Sequence, residues 1–312
     1  MRMRSARVVG AAALALVLVA GACGKSGGGA KTTGTTVKKE AITIASTNFS
    51  ENVTLAYLYG KALQGKGYPV TFKTNIGSRQ IEQPALLKGE VDAYPAYAAS
   101  ELEYLNNNAG QASPDAQQTT NKLRDLFAPK GVSVLDSSSA IDTNAFAVTK
   151  ATADKYHLKK MSDLAAVASQ LILAVPPECP TNKYCGVGLK SVYGLDVSHG
   201  FKEVKLIEVG ALADNALANG DVQVAEVLST DGLALSKGFV ILDDDKHLQN
   251  ADNVVPVIRT PKLNNEIRDL WNSVSSKLTT SELLGLNKKT DVDKEDPATV
   301  ASQWLRDHGF TS

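Results

Sequence analysis

The sequence predicts an α/β protein of two lobes, each a mainly parallel sheet flanked by helices, joined by two chain crossings. Three observations carry this expectation. Strand and helix patterns alternate as β-α-β-α-β over residues 41–94, and a unit of the same order runs over residues 171–227. The segment Ala85-Leu86-Leu87-Lys88-Gly89-Glu90-Val91-Asp92-Ala93 recurs 131 residues later as Ala216-Leu217-Ala218-Asn219-Gly220-Asp221-Val222-Gln223-Val224. Repetition at domain scale, and not every 20 to 50 residues, speaks for two related lobes and against a solenoid.

The elements follow in order. Residues 41–45 alternate as a strand, and polar residues Ser46 to Asn52 precede a helix over 53–64 with apolar positions at helical spacing. Residues 68–74 read as a strand, 80–88 as a helix stopped by Gly89, and 91–94 as a strand. In the second unit, 171–175 is an apolar strand and 188–193 begins a helix. Residues 204–209 form a strand, 211–218 a helix and 222–227 a strand. A strand over 254–258 and helices over 266–278 and 297–306 close the chain; Ile267, Leu270, Trp271, Val274 and Leu278 make one apolar face. Crossings near Asp142 and within 242–257 assign 41–142 plus 250–312 to lobe 1 and 143–249 to lobe 2, with a cleft between them where small-molecule sites concentrate.

The first 40 residues read differently. Arg2, Arg4 and Arg7 precede an unbroken run of Val, Ala, Leu and Gly over residues 8–22, the pattern of a secretory signal and short for a membrane-spanning helix. The run ends Ala20-Gly21-Ala22-Cys23, which resembles a bacterial lipobox with an alanine where a branched aliphatic is usual. An ordinary signal peptide with an incidental cysteine is the competing reading. Acylation of Cys23 would anchor the chain to the outer face of the cell membrane, and the Gly/Thr/Lys composition of residues 23–40 suits a flexible leash. The whole chain balances 33 basic against 33 acidic side chains; loss of residues 1–22 leaves 30 against 33. That mild acidity, with 43% hydrophobic and 21% charged residues, excludes a disordered chain and argues against a nucleic-acid binder.

The remaining cysteines, Cys179 and Cys185, lie six apart in a Pro/Gly-rich loop and predict a disulfide in an oxidising compartment. A zinc site is the alternative, and His157, His199, His247 and His308 are too scattered to complete one. No metal or cofactor is expected. The sequence lacks GxSxG, HExxH, a Walker A loop and GxGxxG, so binding is expected in place of catalysis. The Asp243-Asp244-Asp245 run reads as a solvated turn, since its spacing is not that of a calcium loop. Candidate ligand contacts sit where strands give way to helices. Asn48, Phe49 and Ser50 stand at a helix entry suited to a carboxylate, and Ser78 with Arg79 at the next. Tyr94 and Tyr97 end a strand, and Thr230 with Asp231 form the matching turn in the second unit. Capping or local turn formation is the alternative for each.

Ser46-Thr47-Asn48-Phe49-Ser50-Glu51, Gly77-Ser78-Arg79, Tyr94-Pro95-Ala96-Tyr97, Ala145-Phe146-Ala147-Val148, Lys155-Tyr156-His157-Leu158 with Ser162-Asp163-Leu164, Ser229-Thr230-Asp231-Gly232 and Leu242-Asp243-Asp244-Asp245-Lys246 occur in that order. Together they resemble the osmoprotectant-binding family of ABC importers, whose members bind glycine betaine, choline, carnitine and related solutes. The resemblance, over residues 42–310, implies a type II periplasmic-binding-protein fold acting as a monomer. It also implies as partners a small solute, an ABC permease and its ATPase. A cage of aromatic rings holding a quaternary ammonium is implied as well. Tyr97 matches the first cage tyrosine, but Asn144 and Leu228 stand where the family has tyrosines. Tyr184 lies near the family's aromatic in the glycine-rich loop, and Ser100 replaces a threonine. The depleted cage implies a solute other than glycine betaine. A sensor or delivery module uncoupled from an importer, or an extracellular enzyme on the same fold using Asp231 and Asp243 to Asp245, are the alternative readings.

Overall fold

A computed structural model describes residues 39–310. The expected export segment, Cys23 and the leash up to residue 38 lie outside the described residues. Lys39, at the end of the expected leash, is held 2.9 Å from Glu266.

The chain begins with β1 (Ile42–Ala45), α1 (Ser50–Gly65), β2 (Val70–Lys73), α2 (Arg79–Lys88) and β3 (Ala93–Tyr97). Then come α3 (Ala98–Leu105), α4 (Ala116–Phe127) and β4 (Val132–Val134). A second group holds β5 (Asn144–Val148), α5 (Lys150–Tyr156), α6 (Met161–Leu164), β6 (Ile172–Val175), α7 (Gly186–Gly188) and β7 (Glu203–Leu206). It ends with α8 (Ala211–Asn219), β8 (Val224–Leu228), α9 (Gly232–Ser236) and β9 (Val240–Leu242). The chain then returns as β10 (Val254–Arg259), α10 (Asn265–Lys277), α11 (Thr280–Asn287) and α12 (Pro297–Asp307). Among the described residues no helix is long and apolar enough to cross a membrane.

Two five-stranded sheets result, in the orders β2-β1-β3-β10-β4 and β7-β6-β8-β5-β9. Position for position they are the same sheet, so the internal repeat is structural. The repeated segments form α2 and α8, both stopped by a left-handed glycine: Gly89 at φ 78° and Gly220 at φ 81°. A side chain there would meet the steric penalty that glycine avoids. Each sheet is mainly parallel, as expected, with four strands running one way and a single strand against them. The β-α-β units contribute parallel pairs β1–β2, β1–β3, β6–β7 and β6–β8, whereas β10 and β5, arriving from the opposite lobe, run antiparallel to both of their neighbours. A strand that enters a sheet by a crossing has no crossover helix to turn it parallel. Two boundaries also shift: β3 starts at Ala93 and extends to Tyr97, and the expected helix over 188–193 is α7 followed by a π-helical turn, Leu189–Tyr193.

The inner strands are buried on both faces, as their near-continuous apolar runs require, while the edge strands β2 and β7 are half-exposed. In the first sheet, Ile42, Ile44, Ala93 and Tyr97 pack toward α1, α10 and α12, while Ala45, Tyr94, Ala96, Val255 and Val257 face α2 to α4. The chain passes between the sheets twice, after β4 and after β9, and the two crossings pair antiparallel at Ile141 and Asn253. Asp142 N donates to Asp252 O at 3.2 Å and Val254 N to Ala140 O at 3.0 Å, so the strands that join the lobes are hydrogen-bonded to each other.

Candidate functional site

Beside these crossings lies a polar cavity of about 640 Å³ with walls from both sheets' lobes. Arg79, Ser100, Glu103, Tyr104 and Asp252 come from one side; Asn144, Lys183, Tyr184, Leu228 and Gln249 come from the other, with Asp142 at the crossing. A smaller cavity of about 280 Å³ is lined by Asn48, Phe49, Asn52, Ser78, Glu82, Tyr97 and Glu101. Arg79 and Gln80 line both, so the two are neighbours sharing a wall. A third, mostly apolar cavity of about 470 Å³ shares Thr143, Asn144 and Gln249 with the first and includes Phe146, Met161 and Leu284.

The smaller cavity is built where α1 and α2 begin. Neither N-cap residue, Phe49 or Ser78, closes its helix with a side-chain hydrogen bond. Asn48 N donates to Gly77 O at 2.9 Å, which ties the two helix entries together. Two sets of first-turn N–H groups thus border one small space, with the positive ends of two helix dipoles. Arg79 adds a charge: its Nε donates to Glu101 Oε2 at 2.9 Å, while its two terminal nitrogens have no protein acceptor among the described residues. Glu101, itself buried, is saturated by Gln83 Nε2 and the Tyr94 hydroxyl, each at 2.7 Å. The guanidinium is therefore fixed from behind and open in front, a geometry suited to a carboxylate.

Tyr97 and Phe49 supply the aromatic part, with ring centroids 6.4 Å apart and planes tilted by 53°. The Tyr97 hydroxyl donates to Glu51 Oε1 at 2.7 Å; burial and that carboxylate keep the phenol well above its ordinary pKa, so it stays neutral. Glu51 is fully buried and also accepts from Asn287 Nδ2 at 2.5 Å, and the same amide donates to Thr230 O at 2.9 Å. Thr230 Oγ1 in turn donates to Asp142 Oδ1 at 2.8 Å. A continuous hydrogen-bond chain therefore runs from α1 through α11 and the turn after β8 to the crossing. Burial, then the neighbouring Glu51, pushes the Asp142 carboxyl up to about 8. Burial also raises Glu51 and Asp252; Asp252 is partly compensated by Ser100, whose N–H donates to Oδ1 at 2.9 Å and whose hydroxyl donates to Oδ2.

Across the larger cavity, Asn144 and Leu228 are direct partners on antiparallel strands β5 and β8, so their side chains leave the same face of the sheet. Tyr184 projects from the loop closed by a Cys179–Cys185 disulfide, with Cα atoms 5.1 Å apart. Its hydroxyl accepts from Asn250 Nδ2 at 2.5 Å, its carbonyl accepts from Gln249 Nε2 at 2.8 Å, and Lys183 Nζ lies 4.6 Å from its ring centroid. Among the described residues the one cluster with metal-ligand geometry is Cys179, Cys185 and Glu226, and the disulfide consumes both thiols.

Eight of the expected contacts line these two cavities: Asn48, Phe49, Ser78, Arg79, Tyr97, Asn144, Tyr184 and Leu228. Four do not line them. The two-residue period of β3 sends Tyr94 to the face opposite Tyr97, where its hydroxyl serves Glu101. Ser50 turns its hydroxyl to Asp291, and Thr230 gives its own to Asp142. Asp231 caps α9 by accepting from Leu233 N and Ala234 N at 2.8 and 3.1 Å, the local role weighed against ligand contact. Glu82, Tyr104, Asp142, Asp252 and Gln249 line the cavities without having been expected there. A carboxylate next to a crossing was the one available signal, and it applied to Asp142 and Asp252.

The model of the family described as the substrate binding domain of ABC-type glycine betaine transport systems matches residues 40–307. The chain belongs to this family. Within it, a glycine-betaine-binding protein of Pseudomonas aeruginosa is 26% identical over 281 residues, covering 86% of this chain and 88% of that one. A carnitine transport binding protein of Listeria monocytogenes is 26% identical over 251 residues, covering 78% and 79%. The crystal structure of a glycine betaine/carnitine/choline ABC transporter protein superposes with a TM-score of 0.80 at 28% identity, over 87% of this chain and 99% of that one. The two mixed sheets with flanking helices are thus the type II periplasmic-binding-protein fold, and this substrate-binding protein carries its cavity where the two lobes meet.

Proposed function

We propose that this family member is an extracytoplasmic receptor of an ABC importer that captures a small zwitterionic solute between its lobes and delivers it to the permease and its ATPase. The observation that carries the reading is the polar cavity walled by both lobes and adjoining, through Arg79, the space where α1 and α2 begin. The solute's carboxylate is assigned to Arg79 and the helix entries, with Asn48, Phe49 and Ser78 around it. Its cationic part is assigned to the larger cavity, near Asn144, Tyr184, Leu228 and the carboxyls of Asp142 and Asp252, with Tyr97 on the adjoining side of the smaller cavity. The lobes are assigned as 41–142 plus 250–312 and 143–249, and the chain acts as a monomer, by binding and not by turnover. Cys23 is assigned as the lipid attachment point that keeps the receptor on the outer face of the membrane.

The solute is proposed to differ from glycine betaine. Two positions that hold tyrosines in the resembled cage are Asn144 and Leu228, and each desolvated cation–π contact is worth about 2 kcal/mol. An amide and an apolar wall suit a solute with hydrogen-bonding groups or an aromatic part. Calorimetry of the purified chain with betaine, choline, carnitine and proline betaine tests this. Tight betaine binding contradicts the altered solute and leaves the receptor reading intact; mass spectrometry of the mature N-terminus tests the lipid.

A further inference from the structure

Glu82 stands out among the groups in the smaller cavity. It is 2% exposed, lines the space where α1 and α2 begin, and sits three residues after Arg79 on the same side of α2. Its Oε1 is enclosed without a hydrogen-bond partner. Buried polar groups rarely go unpaired, because an unmet hydrogen bond costs about 1–3 kcal/mol. Its neighbour Glu101, by contrast, receives Arg79, Gln83 and Tyr94.

We propose that Glu82 acts as a neutral carboxylic acid whose O–H is donated to the carboxylate end of the solute, making it a specificity-determining contact beside Arg79. The inference rests on the reading of the cavity as a solute site. Polarity favours an anionic occupant over a cationic one: two helix N-termini and a forward-facing guanidinium border the same space. An ionised Glu82 with no donor at Oε1, next to the Glu101 carboxylate, would oppose that anion, whereas the protonated acid offers the donor it needs. The groups that face it agree. Burial first, then the Glu101 charge, raise its pKa to about 9, with Arg79 acting in the other direction. Tyr94, on the far side of Glu101, is itself held neutral by burial and by these carboxylates.

The test uses glycine betaine and choline on the purified full chain, because they share a trimethylammonium group and differ in carrying a carboxylate or a hydroxyl. Affinities of the wild type and Glu82→Gln are compared by calorimetry at pH 7 and pH 10. Gln keeps a donor and an acceptor but does not titrate, so betaine binding by Glu82→Gln stays within about threefold of wild type at pH 7. At pH 10, one unit above the Glu82 pKa, the wild type loses about tenfold for betaine relative to Glu82→Gln and nothing for choline. Other groups titrating in that range, Asp142 among them, are present in both proteins and cancel. A parallel loss for choline, a flat wild-type profile, or a wild-type affinity that rises with pH overturns the proposal. Failure of both probes and of carnitine and proline betaine to bind at millimolar concentration counts against the solute reading separately. Acetate then decides for Glu82: a shift of its side-chain carboxyl ¹³C resonance supports the anion contact, and no shift overturns it.

Discussion

Restoring two rings to the cleft is the most informative perturbation of solute choice. Asn144 and Leu228 oppose each other on β5 and β8, and both line the cavity of about 640 Å³. Their Cβ atoms are therefore about 4.5–5.5 Å apart on one face of the sheet, close enough for two rings to flank one cation. Asn144→Tyr combined with Leu228→Tyr adds two desolvated cation–π contacts, about 4 kcal/mol gross. Ordering the two new side chains costs about 0.5–1.5 kcal/mol each, which leaves about 1–3 kcal/mol. Glycine betaine affinity should therefore rise roughly five- to hundredfold, while each single substitution gives a smaller gain. Isothermal calorimetry on the wild type, both singles and the double variant reads this directly, and thermal melts check that the variants remain folded. A double variant that folds like the wild type yet binds betaine within threefold of it refutes the placement of the cation beside these strands.

Three further outcomes follow from the same geometry. Tyr97→Ala removes a ring and leaves the buried Glu51 Oε1 without its donor, so solute affinity falls at least tenfold. Tyr97→Phe keeps the ring, costs about 1–3 kcal/mol in urea unfolding, and leaves affinity near wild type. Asp142 titrates near 8 in the folded chain against an ordinary 3.8, so between those values the folded state holds more protons than the unfolded one and stability falls as pH rises. Solvent on the cleft side screens this to about 1–2 kcal/mol, so Asp142→Asn should gain about 2–6 °C in Tm on the wild type between pH 5 and pH 8. An equal difference at both pH values contradicts it. Replacing Cys179 and Cys185 together by serine should lower stability by about 2 kcal/mol, the entropy released by opening so short a loop, and weaken solute binding through the freed Tyr184.

The architecture was largely legible because it is written in local periodicity. Strand and helix patterns, the glycine stops at Gly89 and Gly220, and the repeat linking α2 to α8 survive folding intact. The one antiparallel strand of each sheet was not legible, since β5 and β10 acquire their direction from crossings between lobes, which no local pattern encodes. At the site, residues at helix entries could be placed from the chain alone. Tyr94 and Tyr97 point to opposite faces of a five-residue strand, and ending that strand at Tyr94 left Tyr97 outside it and obscured which one faced the site. Thr230 and Asp231 look like ligand contacts in sequence because polar turns do, yet Asp142 and the α9 N-terminus claim them. Glu82 and Asp142 were hidden for a related reason. Their importance comes from burial and from neighbours far along the chain, Glu101 and Glu51.

Calorimetric titration of the purified chain with glycine betaine, choline, carnitine and proline betaine tests the central claim most directly. A receptor with this cleft gives saturable one-to-one binding of a zwitterionic solute, abolished by Arg79→Ala, with betaine at least tenfold weaker than the best solute. Betaine as the tightest ligand, or zwitterion binding that survives Arg79→Ala unchanged, contradicts the account.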